Sequence, residues 1–433
     1  MKHCPHPSRL LTSSEIIYSR FLIIYHLQSQ IAHAPTGTQA CTFDIAKFHR
    51  TCPVIPAHKP WLVVQGLPGE FYVDHVHPFG SAAASSNAGM IGNAIVDIWQ
   101  ALGVKPTLKY EDDLKIFRCP SPPTITTSLE HDIYQYDYDR EEALRRIASL
   151  QVPWHKEKGD CEFLYQTTFI GYYWDLVLKW VSLNDEKRLK FHNRVRIFLD
   201  SFDGHRCQLK DVEKIHGSLC HVAFVYTEGR SRLPSLSNFA ASFKGDELTK
   251  RYPSRSMITD LKWWLTELNK PSRFRELRPR GDMQDLGIYV DASTSWGIGI
   301  IIQNQWAAFK LRDDWKIEGR DICWLETLAL EFLFYILEAM DLRNAHLLIH
   351  SDNQGAIGAL EKGRSPNFHI NLSIRRMYNV LITRFITHHL EFVPSDKNLA
   401  DPVSRGELGS PEHRIRQSFR MPDELKTAFI HES

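Results

Sequence analysis

Four acidic residues in the C-terminal third of the chain stand at the ends of predicted strands and helices. They are Asp291 at the end of a strand, Glu326 in the first turn of a long helix, Asp352 at the end of another strand, and Asp401 at the start of a helical turn. Because strand ends meet at one rim of a sheet, and a helix packed across the sheet reaches that rim, we expect the four side chains to lie together. Carboxylates that close repel one another unless hard divalent cations, Mg²⁺ or Mn²⁺, bind between them.

Such a cluster suits cleavage of a phosphodiester. Two divalent ions roughly 3.5–4 Å apart clamp the phosphodiester, and one of them activates the attacking water. An alternative stays open at this point, because the chain has 51 acids and any one of these four alone is better explained as a solvated cap. The order of the acids and the residues beside them must decide between a metal site and chance.

The elements that position these acids are predicted in the order βββαβααβ. The predicted strands and helices cover residues 287–290, 298–303, 306–310, 323–340, 346–350, 354–362, 367–385 and 389–393. The first three strands are joined by short turns, and the helix after them is strongly apolar. This order predicts a mixed sheet with flanking helices.

The motifs around the four acids resemble the RNase H domain of retrotransposon polyproteins. The resemblance is carried by Asp291-Ala-Ser-Thr-Ser-Trp-Gly-Ile-Gly299, Trp324-Leu-Glu326-Thr-Leu-Ala329, His350-Ser-Asp352-Asn353 and Val393-Pro-Ser-Asp-Lys-Asn398-Leu-Ala-Asp401-Pro-Val-Ser-Arg405. It implies that Asp291, Glu326, Asp352 and Asp401 bind two Mg²⁺ or Mn²⁺ ions and cleave the RNA strand of an RNA–DNA hybrid. Many members of the family carry a histidine shortly before the last acid, and this chain has none between Pro394 and Ala400.

A second set of acids lies in the N-terminal half. Tyr110-Glu-Asp112-Asp113 falls between two short apolar runs, which predicts a β-hairpin that presents adjacent aspartates at its turn. Asp44 ends an earlier predicted strand. By itself a pair of aspartates is also what an ordinary polar hairpin turn contains.

In context this second set resembles the palm of reverse transcriptases. The motifs that carry the resemblance are Asp44-Ile-Ala-Lys-Phe48, Pro78-Phe-Gly-Ser81 with Asn87-Ala-Gly89, the Tyr110 to Asp113 box, and Phe169-Ile-Gly-Tyr172 with Trp174. The resemblance implies that Asp44, Asp112 and Asp113 hold two Mg²⁺ ions while a primer 3′-oxygen attacks a deoxynucleotide. Family members have a full fingers subdomain before the first motif, and here we expect it to be incomplete.

The sequence therefore predicts an α/β (α+β) multidomain protein with a ferredoxin-like palm, a helical thumb and an RNase H-like domain. The predicted segments are incomplete fingers or an N-terminal extension at 1–40, a palm at 41–180 with an insertion at about 119–160, a thumb or connection at 181–280, an RNase H-like domain at 281–408 and a tail at 409–433. This order resembles a retroelement polymerase, most of all the DIRS-like group found in fungi. An RNase H-like integrase or resolvase is disfavoured because a palm precedes the domain.

Two functional hypotheses stay open from the sequence. The first is a retroelement-derived RNA-directed DNA polymerase with RNase H activity, truncated in its polymerase part, whose partners are an RNA–DNA hybrid, template-primer nucleic acid and deoxynucleotides. The second is a non-catalytic remnant that still binds nucleic acid. The complete set of acids favours the enzyme, whereas the incomplete fingers favour the remnant for polymerisation.

The overall charge does not identify a nucleic-acid surface, because 52 basic residues against 51 acidic ones leave a formal charge of +1. Local basic residues could follow a duplex backbone, with a solvated helix face as the alternative. They are Lys187, Arg188, Lys190, Arg194, Arg196, Arg273, Arg275, Arg278, Arg280, Arg375 and Arg376.

The eight cysteines are scattered without a Cys-x-x-Cys pair, which predicts reduced intracellular thiols. The apolar run Phe21–Tyr25 is too short for a bilayer and has no cleavage site after it, so we expect no membrane anchor. The sequence leaves the oligomeric state open, and it does not separate nucleus from cytoplasm.

Overall fold

The computed structural model describes residues 13–78, 81, 83–121, 126–128 and 131–430. They form two compact units. The first unit comprises the described residues up to Asn184 together with Phe274–Pro279, and the second comprises Asp185–Arg273 and the described residues from Arg280 onward. Sheets and helices occur in both units, so the predicted α/β class is confirmed.

The first unit contains three helices and eleven strands among its described residues. The helices are α1 Ser13–His33, α2 Ala84–Ala101 and α3 Arg140–Arg146. The strands are β1 Gln39–Asp44, β2 Val63–Gln65, β3 Phe71–Val73, β4 Thr107–Tyr110, β5 Asp113–Arg118, β6 Thr126–Ser128, β7 His131–Ile133, β8 Gln166–Phe169, β9 Tyr172–Asp175, β10 Trp180–Ser182 and, later in the chain, β13 Phe274–Glu276.

A three-stranded antiparallel sheet in the order β1-β5-β4 forms the centre of this unit. Helix α2 buries one face against its core, since Ala88, Ile95 and Trp99 recur at helical spacing and are all buried. The rings of Phe43 on β1 and Trp154 lie 5.4 and 5.5 Å from that of Trp99. The core therefore lies directly beneath the strand that ends at the first predicted site residue.

The rest of the first unit is built from hairpins. Strands β8, β9, β10 and β13 form a four-stranded sheet, and β8 turns into β9 through Ile170 and Gly171, which both have positive φ. Two residues with positive φ are typical of the tight turn that matches the twist of a hairpin. The segment predicted as an insertion contains one more hairpin, β6 and β7.

The second unit begins with a helical segment and ends with a five-stranded sheet. Its helices are α4 Asp185–Phe202, α5 Leu209–Val222, α6 Pro234–Ser242, α7 Arg255–Asn269, α8 Ile322–Ala339, α9 Gln354–Lys362, α10 Phe368–Arg384 and α11 Asp401–Ser404. Its strands are β11 Cys207–Gln208, β12 Lys250–Arg251, β14 Met283–Ala292, β15 Gly297–Ile302, β16 Gln305–Lys310, β17 His346–Ser351 and β18 Thr387–Phe392.

The five-stranded sheet has the order β16-β15-β14-β17-β18. The first three strands form an antiparallel meander, while β17 pairs in parallel with both β14 and β18. Helix α8 is buried on nearly all sides because it packs against the sheet and against α9 and α10. This explains why its sequence is apolar around the whole circumference.

The C-terminal segment, predicted as a tail, packs on the edge strand β16. The backbone N–H groups of Ile415 and Ile430 donate to the carbonyls of Trp306 and Lys310 at 2.8 Å. Met421, Leu425 and Phe429 lie in the same buried cluster as the sheet. These residues cover an edge that would otherwise expose unpaired backbone groups.

Within the described residues, no helix combines the length and the apolar character that crossing a bilayer requires.

Candidate active site

Three of the acids predicted from the sequence converge at one end of the five-stranded sheet. Tyr289 on β14 pairs with His350 on β17, so Asp291 and Asp352, two residues further along each strand direction, come side by side. Glu326 approaches from α8. One carboxylate oxygen from each of the three acids lies within 4.8 Å of the others.

Glu326 is fixed by the way α8 begins. The side chain of Asp321 caps the helix by accepting a hydrogen bond from the backbone N–H of Trp324 at 2.9 Å. One turn later the Glu326 side chain is only 3% exposed, and the backbone of Ala292 donates to its carboxylate. Its Oε2 atom is buried and has no hydrogen-bond partner.

Asp291 is held by residues that precede or belong to α11. The Ser404 hydroxyl donates to Asp291 Oδ2 at 2.5 Å, and Asn398 Nδ2 donates to Oδ1 at 3.1 Å. The same Asn398 nitrogen donates to the carbonyl of Val290 at 3.0 Å, which ties it to the strand as well as to the acid. The Asp291 carboxylate therefore has a fixed orientation.

Asp352 is held on one side only. The Ser395 hydroxyl donates to its Oδ2 at 2.5 Å, whereas its Oδ1 is buried without a partner. Buried polar oxygens nearly always have hydrogen-bond partners, so two unpartnered oxygens in one cluster require an explanation. A cation bound between Glu326 and Asp352 would satisfy both.

The electrostatics of the cluster also favour a cation. Burial, reinforced by the charges of Asp291 and Asp352, raises the pKa of Glu326 to about 9. Burial raises the pKa of Asp291 to about 7, and the neighbouring carboxylates of Asp352 and Asp401 act in the same direction. In the described part of the chain, no lysine or arginine forms an ion pair with Asp291, Glu326 or Asp352. Hard oxygen ligands with uncompensated charge are the donor set that Mg²⁺ and Mn²⁺ prefer.

Asp401, the fourth predicted acid, is not part of this group of three. It is the first residue of α11, and Arg405 donates to both of its carboxylate oxygens, at 2.9 and 2.8 Å. These hydrogen bonds lower the pKa of Asp401. Asp401 is still close enough to contribute to the raised pKa values of Asp291 and Glu326.

The residues that orient the acids lie within the predicted motifs, but the sequence assigned no role to them. Asn398, Ser404 and Arg405 belong to the motif around Asp401, and Ser395 precedes it by six positions. The sequence signal that could have identified them is that they are small polar residues within a few positions of a predicted acid. Which acid each of them would contact depended on how the strand and α11 meet.

The acids in the first unit lie on neighbouring strands. Asp44 at the end of β1 pairs in register with Asp113 at the start of β5. The predicted hairpin is present, and its turn is Glu111-Asp112, with Glu111 at a φ of 51°. The Asp112 carbonyl accepts a hydrogen bond from the backbone N–H of Ile45 at 3.1 Å, which keeps the turn beside β1.

This cluster has a cation of its own. Lys158 Nζ lies 3.6 Å from Asp44 Oδ2, and the lysine is carried by a segment whose backbone follows β1, with the His155 N–H bonded to the Asp44 carbonyl. Burial, followed by the charges of Asp112 and Asp44, raises the pKa of Asp113 to about 6, whereas Lys158 acts against that shift. Asp44, Asp112 and Asp113 do not form a group with three ligand atoms within 4.8 Å of one another.

The remaining palm-like motifs are placed in part. Phe79 and Gly80 lie outside the described residues. Asn87, in the first turn of α2, contacts His77 Nε2 through its side-chain nitrogen at 2.9 Å. Phe48, which belongs to the first palm-like motif, is buried in the core of the first unit.

Several of the basic residues predicted to follow a duplex are instead used inside the second unit. Arg375 pairs with buried Asp260 at 3.1 Å, and Arg376 pairs with the fully buried Glu331 at 2.5 Å. Arg188 is 12% exposed and donates to the carbonyl of Leu268. Buried carboxylates hold the guanidinium groups of Arg375 and Arg376, and a main-chain carbonyl holds that of Arg188, so these three have structural partners within the unit while phosphate contact stays a prediction.

No protein-family model matches the chain, and no curated protein matches it. Among solved structures, the foamy viral protease-reverse transcriptase in complex with an RNA/DNA hybrid aligns with a TM-score of 0.42 and 13% identity, covering 91% of this chain and 48% of that one. Two complexes with double-stranded DNA have TM-scores of 0.40 and 0.39 at 13% and 15% identity, each covering 84% of this chain, and 59% and 69% of those chains. This chain thus spans about half the length of the first two. The assignment of the site rests on its own geometry.

Proposed function

We propose that the second unit is a metal-dependent ribonuclease that cleaves the RNA strand of RNA–DNA hybrids. One observation carries the proposal: three carboxylates from β14, α8 and the end of β17 meet within 4.8 Å, and two of their buried oxygens have no partner. The order of strands and helices around them agrees with the resemblance found in the sequence.

The residues of the site comprise those that would bind metal ions and those that orient the metal ligands. Asp291, Glu326 and Asp352 would hold a first Mg²⁺ or Mn²⁺ ion, and Asp401 would take part in holding a second. The bound ions supply an activated water and stabilise the oxygen that leaves phosphorus. Ser404 and Asn398 orient Asp291, Ser395 orients Asp352, and burial keeps water from the back of Glu326.

A second activity is proposed for the first unit, namely RNA-directed DNA polymerisation on a template-primer with deoxynucleotides. The observation that favours it is the cross-strand pair Asp44 and Asp113 beside Asp112 at the hairpin turn. Together with the resemblance in sequence, this pair supports the proposal that the protein is a retroelement-derived polymerase. Asp112→Asn is expected to remove primer extension while leaving hybrid cleavage unchanged.

The test of the ribonuclease is cleavage of an end-labelled RNA–DNA hybrid by the full chain in Mg²⁺ or Mn²⁺. We expect cleavage of the RNA strand alone, loss of cleavage in EDTA, and a decrease of at least about 100-fold in Asp352→Asn, since that change removes a metal ligand. Asp341→Asn, at an exposed acid after α8, is the matched control and is expected to cleave normally.

Binding without cleavage would support the other hypothesis, a non-catalytic remnant. In that case wild type and Asp352→Asn would bind the hybrid equally and neither would cut it. Unchanged cleavage in Asp352→Asn would overturn the assignment of the site.

A further inference from the structure

The four acids of the candidate site are not equivalent. Asp291, Glu326 and Asp352 have no cationic partner in the described part of the chain, and two of their oxygens are buried orphans. Both oxygens of Asp401, by contrast, are occupied by one arginine side chain. The cluster thus has one place that is ready for a cation and one carboxylate that is already neutralised.

Arg405 lies within electrostatic reach of Asp291 and Asp352 as well as of Asp401. Its hydrogen bonds to Asp401 raise the pKa of its guanidinium, and the charges of Asp291 and Asp352 add to that effect. A guanidinium in this position is attracted by the same negative charge that would attract a divalent ion. Only one of the two can neutralise Asp401 at a time.

The backbone of α11 packs closely against the sheet, whereas the Arg405 side chain contacts Asp401 and is otherwise largely exposed. Ser404 is bonded to Asp291, and a Cβ added at Gly299 on β15 would lie 2.5 Å from the Ser404 backbone nitrogen, so the strand and α11 are already in close contact. The Arg405 side chain is 56% exposed. Exposed ion pairs are weak, so Arg405 can leave Asp401 by rotating its side chain without moving α11.

We propose that Arg405 competes with a second divalent cation for Asp401, so that the site binds one cation tightly and the second one weakly until the guanidinium moves away. This inference rests on the proposed function, because it concerns the same carboxylates. It assigns to Arg405 a regulatory role over metal stoichiometry.

The experiment is a titration of the full chain with Mn²⁺, in which free Mn²⁺ is measured by electron paramagnetic resonance. We expect wild type to bind one ion tightly and a second weakly. Arg405→Gln is expected to tighten the second ion by about three- to tenfold, as the loss of an exposed competing ion pair implies, and to leave the first unchanged. Arg405→Lys keeps the positive charge but cannot donate two parallel hydrogen bonds to Asp401. Its affinity for the second ion is expected to lie between those of wild type and Arg405→Gln.

Two controls separate the competition from general effects of charge. Arg343→Gln removes an arginine with the same 56% exposure from an ion pair with Asp341, and it is expected to change neither ion. In an Asp401→Asn background, Arg405→Gln is expected to have no effect on the second ion, because the contested carboxylate is gone.

The outcomes distinguish this inference from the proposed function. A tight first ion with a second ion that Arg405→Gln leaves unchanged or weakens would overturn the role of Arg405 alone. Absence of a tight ion in wild type, with a titration that coincides with that of Asp352→Asn, would overturn both.

Discussion

The two acidic clusters of this chain differ in how their negative charge is compensated. Around Asp44 and Asp113 the chain brings its own cation, Lys158, to 3.6 Å from a carboxylate. Around Asp291, Glu326 and Asp352 the described chain brings hydroxyl and amide donors but no ion pair, and it leaves two buried oxygens without a partner. The first cluster is partly neutral in the folded chain, whereas the second needs a cation from solution.

This difference has a general lesson for assigning metal sites. Acids that lie close together are common, and closeness alone does not separate a solvated or self-neutralised cluster from a metal site. Unpartnered buried oxygens separate them where the same carboxylates also have no lysine or arginine partner, because burying a charged oxygen without a partner costs several kcal/mol unless a ligand compensates for it. The following predictions test whether the two clusters really differ in this way.

The largest expected effect is that of Glu326→Gln on stability without metal. The folded pKa of Glu326 is raised from 4.5 to about 9, so the folded state binds a proton that the unfolded state has lost over that range. Stability therefore falls as pH rises from about 4.5 towards 9. Glu326→Gln removes this penalty and is expected to stabilise the metal-free protein on the order of a few kcal/mol at pH 8.

Thermal unfolding in EDTA between pH 5 and 9 measures this effect. Adding Mg²⁺ should stabilise wild type and should no longer stabilise Glu326→Gln, because the carboxylate ligand is gone. A wild type whose metal-free stability is the same at pH 5 and pH 8 would contradict the idea of an uncompensated cluster.

The next largest effect on stability is expected from Gly299→Ala, which tests the close contact between β15 and α11 beside Asp291. Its new Cβ would lie 2.5 Å from the Ser404 nitrogen and 2.6 Å from the Ala400 carbonyl oxygen, both backbone atoms. Relieving this overlap must shift α11 and the two residues it contributes, Asp401 and Ser404. We expect a loss of roughly 1–3 kcal/mol in the free energy of unfolding and reduced cleavage of the hybrid.

Gly358→Ala is the matched control for that variant. Gly358 lies within α9, and the nearest atom to its added Cβ is the flexible end of Lys362 at 3.9 Å. This change is expected to be neutral or slightly stabilising, by about 0.5–1 kcal/mol, because alanine favours a helix. Equal denaturation midpoints for Gly299→Ala and wild type would show that α11 is not held as described.

A smaller effect is expected in the first cluster from Asp113→Asn. The pKa of Asp113 is raised from 3.8 to about 6, so this carboxyl also destabilises the fold once pH exceeds that range. Because the side chain is partly exposed and Lys158 opposes the shift, we expect Asp113→Asn to stabilise the first unit by only about 1 kcal/mol at pH 7.5. Urea denaturation at pH 5 and 7.5 would measure it, and a gain as large as that of Glu326→Gln would remove the contrast between the clusters.

The smallest effect is expected from Lys158→Gln. The ammonium is 60% exposed, and exposed ion pairs contribute little, so the loss should be about 0.5 kcal/mol at neutral pH. Lys156→Gln, two residues earlier and exposed, is the matched control. A pH titration of Asp113 by NMR should show its pKa rising in Lys158→Gln and unchanged in the control; a pKa that stays the same in both variants would mean that Lys158 does not compensate the cluster.

Local signals in the sequence were sufficient for much of the architecture. The predicted bounds of α9, 354–362, are those observed, and the order βββαβααβ is the observed order of β14 to β18 with their helices. Strand β14 is an instructive difference, since the prediction covered 287–290 and the strand runs from Met283 to Ala292. The start of β14 contains the polar residues Gln284 and Asp285 and so has no apolar pattern, but pairing with β17 extends the strand back to Met283.

Which residues stand at strand ends can be predicted from local signals, because periodicity, caps and turns act over a few residues along the chain. Only the packed chain shows that Ser404 and Asn398 orient Asp291, that Arg376 neutralises Glu331, and that residues 415–430 cover β16. Each of these depends on atoms brought together from distant parts of the sequence or on the choice of one partner among several. Hydrogen bonds and burial make that choice only after the chain has packed, and no pattern along the sequence records it.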